Sequence, residues 1–88
     1  MRLQPDTEHV LFRAEAGDTV DRIASLIDLL GGPECTERVK DAGSVFTIHI
    51  QPADDRLPFL IIVPKDEGID DTLLTLCAVY LRQQESPD

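Results

Sequence analysis

Apolar and polar positions alternate along residues 8–14, with Val10, Phe12 and Ala14 on one side and His9, Leu11 and Arg13 on the other. This period of two predicts a first strand. The period then changes. Val20, Ile23, Ile27 and Leu30 recur at helical spacing, widened by Ala24 and Leu26, against a polar stripe of Asp21, Ser25 and Asp28. Asp18 or Thr19 can cap this segment, and Asp21 places a carboxylate at the positive end of the helix dipole. Gly31-Gly32-Pro33 supplies a left-handed end and a stop, so the spacing predicts a helix over 19–30.

Residues 33–43 support two readings. Pro33 suits a first helical position, Cys35, Val39 and Ala42 fall at i, i+4 and i+7, and Gly43 can close the turn. A short helix is the reading adopted. Its rival is a strand from Thr36 to Lys40, hairpinned through Asp41-Ala42-Gly43 into the next segment. Residues 44–51 alternate again, Phe46, Ile48 and Ile50 against Val45, Thr47, His49 and Gln51. Prolines 52 and 58 bound a loop, and residues 59–63 make a strand apolar on both faces. After the turn at 65–68, Asp70 can cap a second helix, with Ile69 and Leu74 as its hydrophobic staple. Leu73, Cys77 and Tyr80 form its stripe, which Leu74 and Leu81 widen. Residues 82–88 read as a polar, frayed tail.

The resulting order is β-α-(short α or β)-β-β-α. It predicts a single α+β domain over 1–88, a two-layer sandwich with a small, mainly antiparallel sheet of three or four strands and two main helices on one face. The inner face would carry Val10, Phe12, Phe46, Ile48, Ile50, Phe59, Ile61 and Val63, meeting Ile23, Ile27, Leu30, Leu73, Cys77 and Tyr80. The outer face would show Leu11, Val45, Thr47, His49, Leu60 and Ile62. That is too apolar for a freely solvated sheet, and such patches mark association surfaces.

Charge narrows the function classes. Seventeen Asp and Glu against eight Lys and Arg give a net charge of −9 over 88 residues. Phosphate repulsion disfavours direct nucleic-acid binding and anionic membrane surfaces. Solubility and attraction to basic protein surfaces are favoured instead. A chain this short also gains from partner surface, which favours a homodimer or complex subunit. The first twenty residues hold no apolar signal core, and the longest apolar run, residues 59–63, is too short to span a bilayer, so the expected location is cytoplasmic.

Chemistry-bearing residues are few. No phosphate loop, nucleotide fingerprint or metal helix is present, so neither cofactor nor metal is expected. The acidic pairs Asp54-Asp55, Asp66-Glu67 and Asp70-Asp71 lack the alternating ligands of a calcium loop. Cys77 falls in a helix stripe and reads as an inert core thiol, while Glu34 and Glu37 make Cys35 a poor nucleophile. His49 is the best acid–base candidate, though an outward position on a half-buried strand accounts for it more simply.

Three function classes stay open. The favoured one is a non-enzymatic, acidic protein-binding domain. It could be an inhibitor that imitates nucleic-acid charge to occupy a partner's basic groove, as small phage anti-defence proteins do. The others are a homodimeric accessory or regulatory subunit, and a small enzyme using His49. The candidate partner-binding residues are the outer-face set Leu11, Val45, Thr47, His49, Leu60 and Ile62, and an acidic set of Glu15, Asp18, Asp21, Asp66, Glu67, Asp70 and Asp71. The acidic set gathers at one edge if residues 33–43 cross the sheet, because the first strand and strand 59–63 then run the same way. That arrangement is the one favoured.

Overall fold

The computed structural model describes residues 10–66 and 68–85. Its elements are β1 (Val10–Arg13), α1 (Val20–Gly31), β2 (Thr36–Asp41), β3 (Val45–Gln51), β4 (Phe59–Pro64) and α2 (Asp71–Glu85). They form an α+β fold in which both helices pack against one four-stranded sheet of order β1-β4-β3-β2. The sheet is mixed: β2, β3 and β4 run antiparallel in sequence order, and β1 lies parallel to β4.

Residues 36–41 are a strand, so the adopted short helix is corrected in favour of its rival. Helical spacing would have buried Cys35, Val39 and Ala42 together. In the structure Val39 is buried, Cys35 half-buried and Ala42 exposed. Glu34, at φ 64°, takes the left-handed conformation and ends any helix begun at Pro33. A full antiparallel ladder from Thr36↔Gln51 to Asp41↔Phe46 then provides backbone bonds that a single helical turn could not match.

Helix α1 follows its sequence signals closely. The Thr19 side chain accepts from the Arg22 N–H, and Gly32, at φ 77°, returns its own N–H to the Asp28 carbonyl. Gly31 has a different duty, since a Cβ there would lie 2.9 Å from the Cys35 Sγ and 3.0 Å from Ile50. The end of the helix is closed by Arg56, whose Nη1 donates to the Leu30 carbonyl at 3.3 Å. That places a cation at the negative pole of the dipole.

The core holds Phe46, Ile48 and Ile50 of β3, Phe59, Ile61 and Val63 of β4, and Val39 of β2, under Ile23, Leu73 and Cys77. Leu30 and Tyr80, expected among them, are each 36% exposed. Leu30 sits in the last turn before the chain leaves at Gly32, and Tyr80 lines a cleft between the two helices.

Of the tail expected to fray, residues 86–88 lie outside the described residues, and residues 82–85 are corrected to helix, because α2 continues to Glu85. Gln84 explains why. Its amide accepts from the Val39 N–H and donates to the Val39 carbonyl, both at 2.6 Å. Val39 turns these groups away from β3, since the paired bonds of this hairpin fall on alternate residues. The side chain therefore stands in for a neighbouring strand at the middle of the β2 edge. At the far end of β2, Lys65 Nζ reaches Asp41 Oδ1 at 2.7 Å while lying 4.4 Å from the centre of the Phe46 ring. This bond, then the Gly43 N–H, holds the Asp41 carboxyl below its ordinary value.

Candidate functional site

The ladder registers arrange the outer face in rows. Leu11 pairs with Leu60, Leu60 with His49 and His49 with Arg38. The second row is Arg13, Ile62, Thr47 and Lys40, and Val45 lies beyond it. Strand parity requires these side chains to oppose the buried Phe59, Ile61, Ile48 and Val39. Leu11 is 61% exposed, and Val45, Thr47, His49, Leu60 and Ile62 are half-buried. The six expected outer-face residues thus share one surface. Neither helix covers it, since both pack on the opposite face. Thr47 Oγ1 lies 3.3 Å from His49 Nε2.

Two members of this surface escaped the sequence reading, Arg38 and Lys40; with Arg13, already read on the side of Leu11, they are exposed. Reading 36–41 as a strand would have found Arg38 and Lys40, which flank Val39 on the opposite parity. The outward strand positions include no Asp or Glu. Arg22, Arg56 and Lys65 are held in ion pairs with Asp18, Asp54 and Asp41. Among the described residues, Arg13, Arg38 and Lys40 make none. Among the described residues, the acidity that dominates the composition is therefore missing from the face that neither helix covers.

The acidic set forms a separate surface. Because β1 and β4 are parallel, α1 and α2 start at the same edge of the sheet, and the two turns touch where the Gly17 N–H meets the Gly68 carbonyl at 3.3 Å. Glu15, Asp21, Asp66 and Asp71 are exposed there. Asp18 and Asp70 have local work. Asp18 accepts from the Glu15 N–H and pairs with Arg22, and Asp70 accepts from the Thr72 N–H. Glu67 lies outside the described residues, as does His9.

A third feature has no counterpart in the sequence reading. A cleft of about 430 Å³ opens between α1 and α2, floored by Val39 and Ile48 and walled by Ile23, Ile27, Leu73 and Tyr80. Both cysteines line it, and both are free. Burial pushes the Cys77 thiol up to about 11. Burial and then Glu37 raise Cys35, and the same two causes raise the Tyr80 hydroxyl. All three groups are neutral at pH 7, so the cleft offers an apolar wall rather than a nucleophile. Among the described residues no group of three or more His, Cys, Asp or Glu could hold a metal ion, and no helix is long and apolar enough to cross a membrane.

No protein-family model, curated protein or solved structure matches this chain significantly.

Proposed function

We propose that this chain is a non-enzymatic protein-binding domain that docks through the open face of its sheet. One observation carries the reading. Both helices lie on one face, leaving Leu11, Leu60, Ile62 and Val45 together on the other. Covering the remaining exposed area of Leu60 and Ile62 would contribute roughly 2–3 kcal/mol, since both are already half-buried by their strand neighbours. The neutral thiols of the cleft, and a His49 set on an open sheet rather than in a water-excluding pocket, favour binding over catalysis.

The test uses the variant Leu60→Glu with Ile62→Glu. Partners captured by the native chain, and any self-association seen by sedimentation equilibrium, should be lost in the variant while its circular dichroism stays native. Associations that survive both substitutions would remove the open face as the docking site.

A second reading rests on the shared edge of the two helix starts. Glu15, Asp21, Asp66 and Asp71 project there, which supports an inhibitor seated in a basic groove of its target. Reversing Asp66 and Asp71 to Lys should then slow association with that target and flatten its salt dependence. An unchanged on-rate leaves these acids a role in solubility alone.

A further inference from the structure

We infer that the occupant of the open sheet face is an acidic amphipathic helix of a partner protein. The inference rests on the docking role proposed for this face and names the chemistry of the partner. Three kinds of occupant could cover an apolar sheet face of this protein: a nucleic acid, a second copy, or a different protein.

Nucleic acid is the poorest fit. Single-stranded bases are held on open sheets largely by stacking on aromatic rings. The outward positions here carry no Phe, Tyr or Trp, because Phe12, Phe46 and Phe59 belong to the opposite parity, and His49 is the single ring among them. A second copy set face to face would bring Arg13, Arg38 and Lys40 against a surface whose outward strand positions hold no carboxylate to answer them.

The charge and dimensions of the face fit a helix. Strands spaced about 4.8 Å apart make the face roughly 14 Å wide from β1 to β2, which is room for one helix of about 10 Å lying along the strands. Leu11, Leu60 and Ile62 lie on the β1–β4 side, with Val45 beyond, and would receive its apolar stripe. Thr47 and His49 on β3 lie beneath its axis. Arg38 and Lys40 stand about 10 Å from the β4 row, where the flank of the helix would pass, and Arg13 stands at the opposite margin. Since these three cations form no ion pair among the described residues, flanking Asp or Glu on the partner would meet them unopposed. Register would come from those pairs, and most of the affinity from the apolar stripe.

The experiment presents the whole 88-residue chain to a displayed library of amphipathic helical peptides about 14 residues long, matching the roughly 20 Å length of the strands. Apolar positions are fixed at i, i+3, i+4 and i+7, and flanking positions are free among Asp, Glu, Lys, Arg and Ser. Selected binders should be enriched in Asp and Glu at the flanks. They should lose at least tenfold in affinity for a chain carrying Arg38→Glu and Lys40→Glu, with either single change moving in the same direction. That reversed chain should itself select Lys and Arg.

Binders with basic or charge-indifferent flanks that are still abolished by Ile62→Glu would overturn the acidic partner while leaving the docking face standing. Binders indifferent to Ile62→Glu, or no binders at all, would take down the docking face and this inference together.

Discussion

Replacing Ile61 by Ala is expected to cost about 3–4 kcal/mol, the middle of the roughly 2–5 kcal/mol seen when a buried aliphatic site is emptied. Ile61 has no exposed surface and sits in β4 between Phe12 of β1 and Ile48 of β3. Those neighbours are held by two ladders and cannot collapse into the gap. A domain of this size has on the order of 4–13 kcal/mol in total, so much of its stability would go. The next residue gives the control. Ile62 points to the open face, and Ile62→Ala should cost about 1 kcal/mol or less. Urea denaturation with an unchanged slope measures both. Equal losses at the two positions would mean that the facing of β4, and with it the docking surface, has been assigned wrongly.

Alkaline titration should reveal the Cys77 thiol. Its pKa is about 11 in the folded chain against an ordinary 9.0, because the core desolvates the thiolate. The fold thus favours the protonated form. The resulting stabilisation is complete below pH 9 and is lost as the pH rises through 11. It amounts to about 2–3 kcal/mol, at roughly 1.4 kcal/mol for each tenfold change in acidity. Stability under reducing conditions should therefore fall between pH 9 and 11. Cys77→Ala should start lower but descend less steeply, keeping only the slope due to Cys35 and Tyr80. An identical slope in the variant would show that Cys77 does not titrate from the core.

The elements legible in the sequence are those whose signal is local. Helix α1 announces itself through a stripe, a cap at Thr19 and a double glycine. Strand β3 does so through strict alternation, seen as alternating buried and half-buried side chains. Residues 33–43 mislead because Val39 is the one deeply buried side chain of β2, and a single apolar anchor fits either period. What decides the matter is the ladder to β3, a pairing the residues themselves do not advertise. The same ambiguity hides Arg38 and Lys40, so the sheet face is legible as apolar but not as cationic. The cleft is illegible for another reason. It depends on how far apart α1 and α2 lie, a distance set by packing on the sheet rather than by either helix alone.

The Gln84 amide also limits how many copies of this sheet can join edge to edge. A sheet normally has two edges, and a protein that exposes both can be added to at either end, as a bifunctional monomer can grow into a polymer. Here β2 is occupied at its centre by the hydrogen bonds of Gln84 to Val39, and β1 is the other outermost strand. Among the described residues no side chain caps β1 in this way, so in polymer terms the sheet has a valence of one. Two copies joined along β1 would each turn a stoppered strand outward, and growth would end at the pair. The side chain that anchors the last turn of α2 thus doubles as a chain terminator.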